Sequence, residues 1–292
     1  MLPDLVRVRL TLGYDGTDFY GWAKQPGLRT VQDVVESSLG NLISNGGHNT
    51  PASVTVAGRT DAGVHARAQV AHLDLPVELW QRRGSLRTVG QLNAKLPKDV
   101  RVLAAAEVPG DFDARFSALS RTYAYRVHDQ TPYLHPLDSR FSVAHGIRLD
   151  VAAMASASRV LLGEHDFAAF CRYREGASTI RTLQHCEVAR MGNDEIVFTV
   201  VADAFCHSMV RSLVGALVAV GEGKVGREWL EGLLQRTSRS DAVKVMPASG
   251  LVLEAIAYPT AAQSGEQARR ARRFREKPGA AQALGDGTTS CL

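Results

Sequence analysis

Apolar and polar side chains alternate between Val6 and Leu12, which is the period of a half-buried β-strand. After Thr30 the period changes, because valine and leucine recur every three or four residues up to Leu42, as on one face of an α-helix. Thr30 is a favourable N-cap, and Asn-Gly-Gly at residues 45–47 predicts the end of the helix. The chain is therefore expected to open with a strand, a loop and an amphipathic helix.

The same two periods predict strands and helices through residue 257. The predicted strands are 53–57, 69–73, 100–108, 122–127, 182–190, 196–202 and 251–257, and the predicted helices are 86–95, 150–162, 206–220 and 227–234. Two αβ halves, each a sheet with helices on one face, fit this order better than a doubly wound parallel sheet. We therefore predict the α+β class.

The composition changes after Tyr258. Residues 261–292 contain almost no aliphatic periodicity, and such a segment cannot bury enough surface to offset the entropy of ordering it. We predict three parts: an N-terminal αβ half at residues 1–115, a C-terminal half at 116–260 and a basic disordered tail at 261–292. The tail carries six basic and three acidic residues, so most of the formal net charge of +4 belongs to it.

Composition excludes several protein classes. With 45% apolar and 22% charged residues the chain has the balance of a globular protein, and its basic character suggests an anionic partner. The four cysteines lie too far apart in sequence for a zinc or redox motif, so reduced thiols are expected. The N-terminus turns polar early and the longest apolar run, 213–220, is short, so we expect no secretion signal, no membrane span and a cytoplasmic location.

Residues 57–66, Ala-Gly-Arg-Thr-Asp-Ala-Gly-Val-His-Ala, are the most unusual local sequence. Small residues leave the main chain open to a ligand, while Arg59, Asp61 and His65 place an acid between two bases. By chemistry alone Asp61 could be a nucleophile, a general acid or base, or a turn-capping residue, and capping is the commonest of these roles. His65 and His72 have no third ligand at a suitable spacing, so no metal site is predicted.

Residues 58–65, Gly-Arg-Thr-Asp-Ala-Gly-Val-His, resemble the active-site signature of the tRNA pseudouridine synthase A (TruA) family. Similar motifs follow in order between residues 6 and 257: Tyr-Asp-Gly at 14–16, Tyr-Gly-Trp at 20–22, Val-Gln at 31–32, Asn-Ala-Lys-Leu-Pro at 93–97, Phe-Asp-Ala-Arg-Phe-Ser-Ala at 112–118, Arg-Thr-Tyr-Ala-Tyr at 121–125 and Met-Val-Arg at 209–211. A run of linked motifs is far more specific than one motif. The resemblance implies two ferredoxin-like or RRM-like halves with mainly antiparallel sheets joined side by side, helices on the outer faces and an RNA-binding cleft between them.

The resemblance also implies a reaction. The family isomerises uridine to pseudouridine in the anticodon stem-loop of tRNA, at positions 38, 39 and 40, and its members are homodimers. No atom is lost, so no cofactor is expected. By resemblance Asp61 is the nucleophile, Arg211 is the basic partner that favours its ionised form, and Tyr123 lies against the target base. Without the resemblance, Arg211 fits a solvated surface position as well as a functional one, and a core position is slightly favoured for Tyr123.

Further contacts with the substrate are expected from the same signature. The target base must leave its stack before a side chain can reach C1′, and Arg59 corresponds to the residue that fills the vacated space in the family. Thr60 and His65 are also expected to bind substrate. The chain departs from the family pattern at Ser208 and Ser212, where histidine and asparagine are common, and at Val252, where tyrosine is common.

Two other functions compete with this interpretation. One is an RNA-binding module of the same fold that has lost catalysis, although Asp61, Tyr123 and Arg211 are all retained. The other is a glycosidase, which also acts at an anomeric carbon but uses paired carboxylates. No second acid accompanies Asp61 locally, so the fold would have to bring in Asp15 or Asp113.

Overall fold

The computed structural model describes residues 4–47, 52–192 and 194–272. Its strands are β1 (Leu5–Tyr14), β2 (Thr55–Val56), β3 (His65–Pro76), β4 (Val100–Glu107), β5 (Ser120–His128), β6 (Val143–Ala144), β7 (Gly163–Asp166), β8 (Ile180–Met191), β9 (Glu195–Ala202) and β10 (Leu251–Ala257). Its α-helices are α1 (Val31–Ser44), α2 (Val77–Lys95), α3 (Val151–Ser158), α4 (Met209–Gly221), α5 (Arg227–Leu234) and α6 (Ser264–Ala271).

All the strands belong to one sheet that crosses the whole molecule. Its order is β4-β1-β3-β10-β5-β9-β8-β7, with β2 beside β3 and β6 beside β5. Neighbouring strands are antiparallel except for the pairs β3–β10 and β5–β6. The predicted α+β class with a mainly antiparallel sheet is confirmed. The division into parts at residues 115 and 260 stays a prediction.

The parallel contact between β3 and β10 is the seam of the sheet. Val252 pairs with His65 at the start of β3, and on its other side β10 pairs Leu253 with Tyr123 of β5. Because β3 begins at His65, the loop formed by residues 57–64 ends at this seam. The fold therefore brings the unusual loop within one strand of Tyr123, although the two lie far apart in the sequence.

Side-chain caps begin two of the six α-helices in the described residues. Thr30 Oγ1 accepts a hydrogen bond from the Asp33 amide at 3.4 Å, which confirms the predicted cap. At the start of α3 the Asp150 carboxylate accepts a hydrogen bond from the Ala153 amide at 2.9 Å. Helix α2 begins at Val77, earlier than predicted, and bends at Gly84, where φ is 62°. This bend interrupts the apolar period, so sequence periodicity revealed only the second part of the helix.

The core is continuous across the sheet. The largest buried side chains include Trp22, Tyr125, Phe167, Phe170 and Phe198, and they belong to one apolar cluster drawn from both halves of the chain. Burial of this cluster is the main source of stability for the sheet that carries the loop. Among the described residues, every helix is too short or too polar to cross a bilayer.

The prediction of a disordered tail is wrong for residues 261–272. Helix α6 covers most of this segment, Ala268 on it is 3% exposed, and Ser117 Oγ donates to the Ser264 carbonyl at 2.8 Å. Arg272 forms an ion pair of 2.8 Å with Asp113. Small residues let the helix approach closely and bind through polar contacts, which apolar periodicity does not reveal. The rest of the predicted tail, 273–292, lies outside the described residues.

Candidate active site

Hydrogen bonds to β3 and β1 hold the loop of residues 57–64 across the sheet. The Ala57 amide donates to the Val70 carbonyl at 2.8 Å, and Gln69 Nε2 donates to the Gly58 carbonyl at 2.8 Å. Further along, the hydroxyls of Thr60 and Tyr14 share a hydrogen bond of 2.8 Å. These bonds satisfy polar groups beneath the loop and fix its path toward Asp61.

Two glycines in the preceding segment allow that segment to pack directly on the loop. Gly21 has φ of 88°, and a Cβ there would lie 2.8 Å from the Thr60 carbonyl oxygen. A Cβ on Gly16 would overlap the Val64 carbonyl. The neighbouring Trp22 amide donates to the Thr60 carbonyl at 3.0 Å. The Tyr-Asp-Gly and Tyr-Gly-Trp motifs thus form a close-fitting support for the loop.

Asp61 faces the beginning of helix α4. Its side chain is 26% exposed, and its Oδ2 lies 3.4 Å from Arg211 Nη1 and 3.4 Å from Ser208 Oγ. His207 Nε2 lies 3.4 Å from the other carboxylate oxygen, Oδ1. A positive side chain and a helix N-terminus both attract negatively charged groups. The surroundings of Asp61 therefore suit an anion.

Arg211 is held in place by the main chain. Its Nε donates to the Met246 carbonyl at 2.6 Å, and the Met246 amide donates back to the Arg211 carbonyl at 3.2 Å. Its side chain is only 19% exposed, and the residue lies in the first turn of α4, a helix that is buried along most of its length. Arg211 is thus a fixed charge beside Asp61, unlike a solvated surface arginine.

Tyr123 lies in the same region, with only 7% of its surface exposed. Its ring meets that of Phe205 edge to face, with the centroids 5.2 Å apart. Burial raises the pKa of Tyr123 above its ordinary value, and the negative charge of the neighbouring Asp61 acts in the same direction. Tyr123 is therefore a neutral phenol near neutral pH, and it can act as a hydrogen-bond donor.

The three other predicted site residues fall into two groups. Arg59 is exposed, and within the described chain it forms no ion pair. Thr60 and His65 are 6% and 1% exposed, and Nδ1 of His65 accepts a hydrogen bond from the Gly16 amide at 3.0 Å. The His65 ring packs 4.8 Å from that of Phe141, and burial lowers its pKa. The structure therefore gives Thr60 and His65 positions that support the loop, and the substrate contacts expected for them stay a prediction.

His207 and Ser208 contact Asp61 but were absent from the predicted site. Ser208 has φ of 64°, a left-handed conformation that is unfavourable for a residue with a side chain. This conformation comes just before α4 and accompanies the contact between the Ser208 hydroxyl and Asp61. In the sequence, the signal for His207 and Ser208 is their position directly before Met-Val-Arg. The pattern itself marks Ser208 only as a departure from the family.

A disulfide joins Cys171 to Cys206, next to His207, with a Cα–Cα distance of 5.8 Å. The expectation of reduced thiols is wrong for this pair, because the rule used sequence spacing and the fold brings together two residues 35 positions apart. The Arg172 amide also donates to the His207 carbonyl at 3.0 Å. Both links fasten the His207 segment to the neighbouring loop. Cys186 is buried, which raises the pKa of its thiol to about 12.

The acids considered for a glycosidase are engaged elsewhere. Asp15 binds Thr17 and Arg140, while Asp113 accepts hydrogen bonds from the amides of residues 115 and 116 and binds Arg272. Neither therefore supplies the second carboxylate that glycoside hydrolysis uses. Within the described ranges, no group of three His, Cys, Asp or Glu side chains is placed to hold a metal ion.

The matching family model and the curated relatives agree on one family. The family model described as "tRNA pseudouridine synthase" matches residues 12–117 and 157–259. The chain is 50% identical to "tRNA pseudouridine synthase A" of Streptomyces avermitilis, over 95% of this chain and 97% of that protein. It is also 50% identical to the protein of the same name from Frankia casuarinae, over 95% of this chain and 98% of that protein.

Among solved structures, the chain is similar to one described as "Structure of H/ACA RNP bound to a substrate RNA containing 2'-deoxyuridine". The TM-score is 0.33 and the identity 13%, over 71% of this chain and 44% of that chain. The family match and the two bacterial relatives extend over the loop of residues 57–64 and over helix α4. The chain therefore belongs to the tRNA pseudouridine synthase family, a group of isomerases that make pseudouridine in tRNA.

Proposed function

We propose that this enzyme acts on uridines 38, 39 and 40 in the anticodon stem-loop of tRNA, with Asp61 as its nucleophile. The observation that carries the proposal is the contact between Asp61 and a fixed cation at the seam: Asp61 Oδ2 lies 3.4 Å from Nη1 of Arg211. The choice of stem-loop rests on the family resemblance. The assignment of Asp61 rests on both the resemblance and this geometry.

The reaction breaks the C1′–N1 bond of uridine, turns the base and joins C1′ to C5, while the hydrogen on C5 is replaced and N1 gains one. A carboxylate suits this sequence because it can form and release a covalent adduct. The contacts of Asp61 with Arg211, Ser208 and His207 are longer than typical charge-assisted hydrogen bonds of about 2.7–2.9 Å. Asp61 thus lies beside these three groups without being locked to any of them.

Tyr123 is proposed to lie against the uracil while the base turns. Its edge-to-face contact with Phe205 fixes the ring, and burial keeps its hydroxyl protonated. A phenol in this state can donate a hydrogen bond to a uracil carbonyl.

Arg59 is proposed to enter the RNA stack when the target nucleotide leaves it. It is exposed, and it lies two residues before Asp61 on the same loop. A planar guanidinium can stack on bases and also contact phosphates. Thr60 and His65 then act from below, by fixing the loop that presents Arg59 and Asp61.

The remaining proposals concern the surroundings of the enzyme. A homodimer that holds one tRNA across both subunits and a cytoplasmic location follow from the family resemblance. The RNA-binding cleft is proposed to lie at the seam between β3 and β10, where the loop of residues 57–64 faces α4.

The test is to incubate the wild type, Asp61→Asn and Arg59→Ala with unmodified tRNA and to map pseudouridine by chemical derivatisation. We expect pseudouridine at the three anticodon-arm positions with the wild type, none with Asp61→Asn and slower formation with Arg59→Ala. Equal formation by the wild type and Asp61→Asn would refute the nucleophile. Pseudouridine at other positions only would refute the proposed target.

A further inference from the structure

A buried arginine connects the two loops that meet at Asp61. Arg121 lies on β5, between Ala202 of β9 and Ile256 of β10, and is 7% exposed. It shares a face of the strand with Tyr123, because side chains two residues apart point to the same side. Its guanidinium therefore extends into the region where the loops converge.

The guanidinium donates to main-chain carbonyls of three separate segments. Arg121 Nη2 donates to the carbonyl oxygens of Ala57 at 2.8 Å and Arg115 at 2.6 Å, while Nη1 donates to that of Asp203 at 2.5 Å. Burial lowers the pKa of Arg121 below its usual value, but an arginine stays charged at working pH. Hydrogen bonds from a charged group to carbonyls are stronger than neutral ones.

Two of these carbonyls mark the beginnings of the loops at the candidate active site. Ala57 begins the loop that carries Arg59 and Asp61, and Asp203 begins the segment that leads to His207 and Ser208. The Asp203 carboxylate also accepts a hydrogen bond from the Thr182 amide at 3.0 Å, which fastens the same segment to β8. One planar side chain thus holds both loop origins at a fixed spacing.

We propose that Arg121 is a positioning residue for pseudouridine formation, which sets the spacing between Asp61 and the His207–Ser208 segment. The inference rests on the proposed role of Asp61. A guanidinium presents five donors in a rigid fork, whereas lysine presents one ammonium group on a flexible stem. Lysine at this place would keep the charge but could not bind all three carbonyls in the same geometry.

The test compares Arg121→Lys with Arg126→Lys. Arg126 is on the same strand and binds Glu254 at 2.9 Å on the other face of the sheet, so it is a matched control. The kinetics are measured at a temperature where circular dichroism shows both variants folded. We expect kcat of Arg121→Lys to fall about tenfold to a hundredfold, because small misplacements of reacting groups slow reactions by such factors. Its KM for tRNA should change less than about twofold, and both constants of Arg126→Lys should match the wild type.

A double-mutant cycle separates positioning from simple stabilisation. Ser208→Ala removes a contact of Asp61, so its effect on kcat should be smaller in the Arg121→Lys background than in the wild type, because both changes act on the same geometry. Additive effects, or a wild-type kcat for Arg121→Lys, would overturn the inference. If Arg121→Lys does not fold, Arg121→Gln takes its place, and failure of both to fold would make Arg121 a core residue and also overturn it.

The Asp61→Asn experiment keeps the two proposals apart. Activity retained by Asp61→Asn refutes the proposed nucleophile whatever Arg121 does. Loss of activity in Asp61→Asn together with wild-type kcat in Arg121→Lys refutes only the positioning role.

Discussion

The hydroxyl of Tyr14 lies 2.8 Å from that of Thr60, in the buried space beneath the loop that presents Asp61. Gln69 Nε2 donates to the same Tyr14 oxygen at 3.2 Å. Burial raises the pKa of Tyr14 to about 12, so the phenol is neutral at working pH. Its oxygen therefore accepts from Gln69 and shares a hydrogen bond with the Thr60 hydroxyl, and this short chain of bonds supports the loop from β1 and β3.

Tyr14→Phe should weaken this support. The change removes both hydrogen bonds, and we expect the free energy of unfolding to fall by about 1 kcal/mol, as is typical for a buried hydrogen bond. Because the loop carries Asp61, kcat should also fall. Urea unfolding and single-turnover kinetics measure the two effects. Tyr20→Phe is the control, since Tyr20 is 57% exposed; equal stability of the two variants would show that the chain of hydrogen bonds does not hold the loop.

Arg211→Met should leave the fold intact but depress activity. The change removes the fixed cation 3.4 Å from Asp61 and also the bond to the Met246 carbonyl. The loss of a charged hydrogen-bond partner, worth about 1.5–3 kcal/mol, corresponds to about a tenfold to hundredfold fall in kcat. Circular dichroism checks the fold and a tritium-release or mapping assay checks turnover. A wild-type rate would contradict the role given to Arg211.

Ser208 offers a contrast between stability and activity. Ser208→Gly and Ser208→Ala both remove the hydroxyl that contacts Asp61, so both should reduce kcat to a similar extent. Ser208→Gly should be the more stable variant, because φ at this position is 64°. Alanine adopts this left-handed conformation at a cost of about 1 kcal/mol, which glycine avoids. Thermal unfolding measures the difference. Equal melting temperatures would show that the left-handed conformation is not retained.

The Asp129–Arg190 pair makes the free energy of unfolding depend on pH in the acid range. Asp129 is fully buried and lies 2.7 Å from Arg190, whose guanidinium lowers the pKa of Asp129 to about 2. Because the folded pKa lies below the unfolded value of about 3.9, the pair stabilises the fold above pH 4, and this contribution is lost as the pH falls from about 4 to about 2.

Asp129→Asn tests this dependence. The variant should lose about 3 kcal/mol at pH 7, as expected for a broken buried pair, and its unfolding free energy should vary less between pH 4 and pH 2. Glu231→Gln is the matched control, because it breaks the exposed pair with Arg227 and should cost less than about 0.5 kcal/mol. If the unfolding free energies of the wild type and Asp129→Asn fell in parallel between pH 4 and pH 2, the Asp129–Arg190 pair would not be the cause of the pH dependence.

The sequence revealed the features that depend on local pattern. The cap at Thr30, the bounds of α5 and β10, and the loop that contains Asp61 could all be predicted, because each is written in adjacent residues. The contacts of His207 and the pairing of Cys171 with Cys206 depend on how β9, α4 and the loop after β7 are packed together. Such contacts have no sequence period, so pattern alone could not reveal them.

The burial of Thr60 and His65 shows a second limit of prediction from sequence. Both lie in a signature that resemblance assigns to the active site, and a signature does not distinguish a residue that touches substrate from one that holds the loop in place. The difference depends on the side of the loop that faces β1 and β3, and only the folded chain determines that side.

The parallel seam has a consequence for how this enzyme is made. Strand β10 lies between β3 and β5, yet it is the last strand of the described chain to leave the ribosome. Domains fold as they emerge, and pairing between distant segments is slow. The first half of the sheet can therefore form early, but the seam that joins β3 to β10 is complete only once residue 257 has been synthesised, so we expect a growing chain to lack an assembled candidate site until then.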